Sequence, residues 1–274
     1  MKRILVIDGN TAAIRAKLVE QLGYATGEGY AGVLRSIDSH LSIDVVRPAD
    51  CNPVLPTGMT LGDYQGVAVT GSALNVYAGG AAVERQLALV RAVFAAGIPL
   101  FGSCWGLQVA VTVLDGEIVR NPRGREFGFA RRIVLTASGR AHPMYQRKPT
   151  VFEAPTVHLD TIARLPPGAT VLAENEYGIQ ALTVTRAATR FWGVQYHPEY
   201  EFLDVAAVAE RYGQRLVEEQ FFGSLADIGA FVADMRQLSA RPDDRPVLWK
   251  YGLGSAAADW NLRTLELRNW LSAI

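Results

Sequence analysis

The stretch Ile98-Pro-Leu-Phe-Gly-Ser-Cys-Trp-Gly-Leu-Gln108 joins a short apolar segment to residues that suit a helix. The spacing Gly-x-Cys-x-Gly around Cys104 is typical of a nucleophile elbow, a sharp strand-to-helix turn that small residues allow. Such a turn presents the Cys104 sulfur at the carboxyl edge of a sheet, where the N-terminus of the following helix favours the reactive thiolate. The alternative is that Cys104 is an inert buried thiol, as most intracellular cysteines are.

A second stretch, Phe191-Trp-Gly-Val-Gln-Tyr-His-Pro-Glu-Tyr200, favours a catalytic role for Cys104. Residues i and i+2 of an extended chain point to the same side, so Glu199 can orient the imidazole of His197 as a base. The proline between them fixes φ and prevents an early helix start. His158 is the other candidate base, but His197 is preferred because its carboxylate partner belongs to the same strand end. The two stretches together predict a Cys-His-Glu triad.

Short apolar runs alternate with helical patterns on the N-terminal side of the elbow. Residues 4–7, 42–46 and 66–70 suit buried strands, residues 14–22, 31–40 and 81–96 suit helices, and residues 24–29 suit a loop. On the C-terminal side, strands are predicted over 117–120, 127–135, 151–158, 170–174, 179–184 and 191–195. Because strands separated by helices form sheets covered on both faces, this pattern predicts a doubly wound α/β fold with a mostly parallel sheet. Such folds carry their sites at the carboxyl ends of the strands, where the elbow lies.

The composition argues against several classes of function. Lys plus Arg and Asp plus Glu are both 27, so no net charge attracts nucleic acid or an anionic membrane. With only Cys51 and Cys104 there is no disulfide framework, which suits a cytoplasmic protein. The apolar run before Asp8 is too short for a signal peptide, and the run 92–102 is too short to span a bilayer. The histidines and cysteines are too scattered to predict a metal site.

The two motifs resemble those of the class I (triad) glutamine amidotransferases, and most closely the amidotransferase domain of GMP synthase. Two further stretches agree with this resemblance. Arg125-Glu-Phe-Gly-Phe-Ala130 is similar to that domain's R-E-F-G-Y-A run, and Val157-His-Leu-Asp160 is similar to its S-H-G-D. The resemblance covers residues 3–203 and implies a flavodoxin-like fold, glutamine as substrate and no cofactor.

The resemblance also implies roles for residues near Cys104. The backbone N–H groups of Gly71 and Trp105 would form an oxyanion hole, although Ala73 stands where the family usually has proline. Backbone groups near Gly128 and Phe129 would line the glutamine pocket. Gly128 and Phe129 belong to an arginine-rich segment, residues 120–132, and the alternative interpretation of this segment is a solvated basic face.

Gln108 would lie on the same wall of the glutamine pocket, because it follows Cys104 by one helical turn.

The composition changes after Glu199, which predicts a domain over 1–203 and a helical C-terminal extension over 204–274. Helical patterns over 203–217 and 225–238 are followed by the break Arg241-Pro-Asp-Asp-Arg-Pro246 and a tryptophan-containing amphipathic end. We expect the extension either to pack on the first domain or to form an interface.

The predicted function is hydrolysis of the glutamine side-chain amide, with the ammonia passed to an acceptor on a partner protein. No P-loop motif is present, so a synthetase-like partner would activate the acceptor. The partner would dock around residues 120–132 and the C-terminal extension, and would complete a poorly arranged site. Two alternatives stay open: a stand-alone γ-glutamyl hydrolase of the same fold, and a non-catalytic regulatory module that retains the fold.

Overall fold

The computed structural model describes residues 2–52, 55–186 and 189–274, and a nine-stranded mixed sheet lies at its centre. The strands are β1 Arg3–Ile7, β2 Ser42–Val46, β3 Gly66–Val69, β4 Leu100–Ser103, β5 Glu117–Arg120, β6 Glu126–Leu135, β7 Val151–His158, β8 Asp160–Arg164, β9 Ala169–Asn175, β10 Gly178–Arg186 and β11 Thr189–Val194. In space the sheet runs β2-β1-β3-β4-β11-β10-β9-β6-β7, while β5 and β8 form a separate antiparallel pair. Neighbouring strands from β2 to β11 are parallel, and those from β11 to β7 are antiparallel.

Helices cover both faces of this sheet. They are α1 Ala12–Leu22, α2 Thr26–Ile37, α3 Ala81–Ala95, α4 Trp105–Val113, α5 Ala137–Ala141, α6 Phe202–Glu218, α7 Leu225–Ala240, α8 Arg245–Lys250, α9 Ser255–Ala258, α10 Trp260–Arg263 and α11 Leu265–Ala273. On one face, Val90 of α3 and Leu107 of α4 pack with Leu5 of β1. On the other face, Leu34 of α2 and Trp270 of α11 belong to one buried cluster. This arrangement confirms the predicted doubly wound α/β fold with a helical C-terminal region.

None of the helices within the described ranges is both long enough and apolar enough to cross a membrane.

Helix α2 begins at Thr26, so the prediction of a loop over residues 24–29 is wrong. Gly27 and Gly29 suggest a loop because glycine is unfavourable in a helix. Asp8, at the end of β1, overrides this preference, because its Oδ2 accepts the Gly27 N–H at 2.9 Å. That bond satisfies one of the amides that have no partner in the first turn of a helix. A contact between elements distant in sequence therefore sets the start of α2.

The last helix, α11, is held on the sheet by aromatic and ionic contacts. Trp270 packs on Phe101 of β4 with ring centroids 5.8 Å apart. Lys148 Nζ lies 3.0 Å from Glu266 Oε2, and both side chains are buried. The Tyr196 hydroxyl donates to the other Glu266 oxygen at 2.6 Å. Because losing one partner of a buried ion pair is strongly destabilising, these contacts fix α11 in place.

The C-terminal part of the chain contacts the segment 120–132 around the start of β6, where Arg125 is buried while Arg120, Arg123 and Arg132 stay exposed. The guanidinium of Arg125 donates to both carboxylate oxygens of Glu219, at 2.7 and 3.2 Å. The ring of Phe127 packs on that of Phe231 in α7, with centroids 5.9 Å apart. The segment predicted to receive a partner protein is therefore in contact with the C-terminal part of the same chain.

Candidate active site

Cys104 lies at a sharp turn between β4 and α4. Its φ of 50° and ψ of −100° belong to a region that non-glycine residues rarely adopt. Gly106 makes the turn possible, because a Cβ at that position would lie 2.5 Å from the carbonyl oxygen of Val69. The Cys104 N–H donates to the Val194 carbonyl of β11 at 2.8 Å. The turn is thus fixed between two neighbouring parallel strands, at their carboxyl ends.

The thiol of Cys104 borders a small cavity of about 60 Å³. The residue is 4% exposed, and its Sγ lies 3.9 Å from the Val157 carbonyl oxygen of β7. Cys51, in contrast, is exposed. The predicted nucleophile is therefore shielded from bulk solvent while still lining a cavity.

His197 and Glu199 form the orienting pair that their spacing predicts. Nδ1 of His197 lies 2.7 Å from Glu199 Oε1, and both side chains are buried. The His197 N–H donates to the Pro155 carbonyl at 2.8 Å, and the imidazole stacks on the Tyr200 ring at 3.9 Å. Within the described residues, the buried Nε2 has no hydrogen-bond partner. The imidazole is thus held through one nitrogen and one face, which leaves its second nitrogen available.

The charge state of His197 is set by its two anionic neighbours. Burial by itself would lower the pKa of the imidazole. The negative charges of Glu199 and Cys104 overcome this effect and raise the pKa of His197 from 6.5 to about 10. The arrangement therefore favours the protonated imidazole beside Glu199 and Cys104. A neighbouring imidazolium is the kind of group that activates a cysteine nucleophile.

We expect the imidazole of His197 to stay protonated until about pH 10 in an NMR titration of the folded protein. Glu199→Gln should lower this midpoint, because it removes one of the two charges that favour the imidazolium. His142 serves as an internal control, since burial lowers the pKa of its imidazole and it should titrate at a lower pH. A His197 midpoint near 6.5 in the unsubstituted protein would contradict the ion pair.

Gly71 and Trp105, the predicted oxyanion residues, lie next to the same pair. A Cβ on Gly71 would approach His197 Cε1 to 2.5 Å. Trp105 is the first residue of α4, whose first backbone bond runs from the Gln108 N–H to the Cys104 carbonyl at 3.1 Å. The Trp105 N–H therefore has no acceptor inside its own helix. Both backbone positions suit the oxyanion role that the resemblance implies.

The turn that follows Gly71 explains how alanine can stand at position 73, where the family usually has proline. Ala73 donates its N–H to the Asn10 side-chain oxygen at 2.9 Å, a bond that proline cannot make. The Ser72 hydroxyl also donates to the Gly9 carbonyl at 2.8 Å. Two hydrogen bonds to the loop after β1 thus hold this turn, where a proline ring would otherwise restrict the backbone.

The three predicted substrate-binding residues occupy different places. Gln108 borders the cavity beside Cys104 and is buried. Phe129 turns its side chain towards the C-terminal helices, where its ring packs on Phe202 with centroids 6.0 Å apart. Gly128, its neighbour on β6, is absent from the cavity wall that the described residues form. Of the three, only Gln108 is brought together with the nucleophile.

His158, the rejected candidate base, has both ring nitrogens engaged. Nε2 lies 2.8 Å from Glu126 Oε2, and Nδ1 lies 2.9 Å from the Asp160 carbonyl oxygen. The Asp160 carboxylate, which borders the cavity, accepts from Asn75 at 2.8 Å. This network orders the wall of the cavity and leaves His158 no free nitrogen for proton transfer.

Several residues at the cavity escaped prediction, and two of them come from the C-terminal part of the chain. Tyr212 and Arg215 of α6 border the same space as Cys104. The sequence marks α6 as an amphipathic helix, but nothing local indicates that its second half lies over the site. Only the position of α6 beside α1 and β7 brings these side chains there.

Comparisons with known proteins agree with the fold and identify the family. A family model described as "Glutamine amidotransferase class-I" matches residues 33–203, which is well over half of the chain. A γ-glutamyl-L-1-hydroxyisopropylamide hydrolase from a Pseudomonas species is 33% identical over 98% of this chain and 92% of that protein. A glutamine-hydrolysing GMP synthase from Streptomyces avermitilis is 31% identical over 56% of this chain, but only 26% of the synthase is covered.

A solved structure gives the same result for the fold. A glutamine amidotransferase from Thermotoga maritima matches 99% of this chain and 97% of its own with a TM-score of 0.67, at 19% identity. The elbow, the sheet and the family profile lead to one conclusion: this chain is an enzyme of the class I glutamine amidotransferase family.

Proposed function

We propose that this chain is a self-contained hydrolase of γ-glutamyl amides, which releases glutamate and an amine without a partner protein. The observation that carries this proposal is the packing of the C-terminal part of the same chain on Arg125, Phe127 and Phe129 around the start of β6. A synthetase would need access to this edge of the sheet to receive ammonia from the Cys104 cavity. Here the C-terminal helices already contact part of this edge.

The arrangement of the predicted triad supports the same proposal. A partner-gated site would hold its reacting groups apart until docking. In this chain Glu199 already holds the imidazole of His197 through Nδ1, and Cys104 lies close enough to raise the pKa of that imidazole. Nε2 itself makes no hydrogen bond within the described residues, so it is available to the substrate. The 33% identity to a γ-glutamyl-L-1-hydroxyisopropylamide hydrolase, which extends over almost the whole chain, also favours a hydrolase.

In the first half of the proposed reaction, the Cys104 thiolate attacks the γ-carbonyl carbon of the substrate. The N–H groups of Gly71 and Trp105 stabilise the tetrahedral oxyanion, and each donor of this kind contributes about 2.7–4 kcal/mol. The C–N bond then breaks as the His197 imidazolium donates its Nε2 proton to the departing nitrogen. The products of this half are a γ-glutamyl thioester and a free amine.

In the second half, water attacks the thioester carbonyl while the neutral imidazole of His197 accepts its proton. The C–S bond breaks, glutamate leaves, and the thiolate–imidazolium pair is restored. Glu199 holds the ring orientation through Nδ1 and does not exchange protons. One water is consumed for each amide bond hydrolysed.

The test is steady-state hydrolysis by the purified chain alone, with γ-glutamyl-isopropylamide and glutamine as substrates. We expect turnover of at least one of them in the ordinary enzyme range of about 1–10³ s⁻¹, measured as released glutamate. Weak activity that rises when a co-purifying protein is added would favour the partner-dependent amidotransferase instead. No turnover, together with no labelling by a glutamine-like diazoketone, would indicate the non-catalytic module.

A further inference from the structure

A second cavity, of about 470 Å³, lies beside the Cys104 cavity and is basic. The two cavities share three wall residues, Ala73, Tyr212 and Arg215. Lys17 of α1 and Arg211 of α6 add two more cations to the second cavity, and no carboxylate lines it among the described residues. Its volume falls in the range of sites that bind small molecules.

Arg211 is the cation in this cavity with the clearest need for a partner. Its Nε and one terminal nitrogen are buried, and neither has an acceptor among the residues that the structure describes. The guanidinium lies 5.3 Å from the centre of the Tyr212 ring. Buried donors without acceptors are costly, and the edge of a guanidinium is shaped to bind a carboxylate with two parallel bonds. The group that satisfies Arg211 is therefore expected to be an anion.

The position of Arg211 relates it to the amine side of the substrate. Its positive charge acts on Tyr200, whose ring stacks on His197. His197 must face the departing nitrogen in order to protonate it. Gln108 and Asp160 border the Cys104 cavity but not the second one. Because the two cavities meet at Ala73, Tyr212 and Arg215, a substrate whose glutamyl part occupies the Cys104 cavity would extend its amine part into the basic one.

We propose that the basic cavity selects γ-glutamyl amides whose amine part carries a carboxylate, so that the preferred substrates are γ-glutamyl amino acids. The carboxylate binds Arg211, and Lys17 and Arg215 line the same cavity. This inference rests on the proposed γ-glutamyl hydrolase activity and names its substrate class. Arg211 acts here as a specificity residue that never contacts the scissile bond.

The test compares kcat/KM of the full-length chain for γ-glutamyl-alanine and γ-glutamyl-alaninamide, which differ only in the charged carboxylate. We expect the carboxylate substrate to be preferred by about 10- to 100-fold, the value of a hydrogen-bonded charge pair. Arg211→Gln should reduce this ratio to near 1, and Arg211→Lys should keep part of it because the charge remains. Arg236→Gln is the matched control and should keep the full ratio. Arg236 of α7 is exposed and pairs with Glu210 of α6.

The outcomes separate this inference from the proposed function. Equal kcat/KM for the two substrates would overturn the carboxylate preference while leaving the γ-glutamyl hydrolase in place. Hydrolysis of neither alanine substrate, while γ-glutamyl-isopropylamide or glutamine is turned over, would overturn this inference alone, and failure on all four substrates would remove both proposals. A preference that survives Arg211→Gln in a folded protein would overturn the assignment to this arginine. The substrate comparison needs no variant, so it decides the question even where an Arg211 substitution fails to fold.

Discussion

Cys104→Ser is expected to reduce amide hydrolysis by about 10⁴-fold or more, the loss seen when a hydrolase loses its nucleophile. Serine fits the space of the thiol and keeps the backbone turn. Its hydroxyl, however, does not ionise beside His197 as a thiol does, so the attacking anion disappears. The measurement is kcat/KM for the preferred γ-glutamyl amide, with circular dichroism and thermal unfolding to show that the fold remains.

Cys51→Ser is the matched control, because Cys51 is exposed and lies apart from the Cys104 cavity. It should retain full activity. A glutamine-like diazoketone should accordingly modify Cys104 in the unsubstituted protein and leave Cys51 free, as peptide mapping would reveal. Activity within tenfold of the unsubstituted protein in Cys104→Ser, or modification of Cys51 alone, would remove the proposed mechanism.

The parts of the site that the sequence predicts well are those encoded within a few residues. The elbow needs only small residues around Cys104, and the His197–Glu199 pair needs only a spacing of two at a strand end. The alternation of apolar runs and helical patterns similarly predicts the doubly wound fold. Each of these features follows from local backbone geometry, so no knowledge of the rest of the chain is required.

The features that escape the sequence depend on contacts between distant elements. The side chain of Phe129 turns towards Phe202 because α6 covers this face of β6, and no local pattern reveals that covering. Tyr212 and Arg215 reach the cavity for the same reason. The start of α2 depends on Asp8 in another strand. In each case a tertiary contact overrides or completes a local preference.

Several of these tertiary contacts are made by the C-terminal helices, which therefore shape the site. Helix α11 completes one face of the sheet, α6 and α7 pack on β6, and α6 also contributes Arg211 and Arg215 to the basic cavity beside the site. Helix α6, which is proposed to limit the access of a partner, is thus also the helix that carries the arginine proposed to select the amine.

Gly71→Ala is expected to reduce kcat by about 10²-fold or more, because a displacement of about 1 Å in a reacting group costs this much. The added Cβ would lie 2.5 Å from His197 Cε1, closer than any real contact, so one of the two groups must move. The imidazole cannot retreat easily, since Glu199 holds Nδ1 and Tyr200 holds its face. Gly71 itself is not in a left-handed conformation, so the substitution brings a steric contact and no backbone strain.

The control for this prediction is Gly32→Ala, the same chemical change at an open position of α2 where a Cβ would meet nothing within 4 Å. It should leave kcat unchanged and raise stability by about 0.5–1 kcal/mol, because alanine favours a helix over glycine. In Gly71→Ala the loss should fall on kcat more than on KM, since substrate binding uses other walls of the cavity. Full activity in a folded Gly71→Ala protein would show that His197 does not lie against this turn during catalysis.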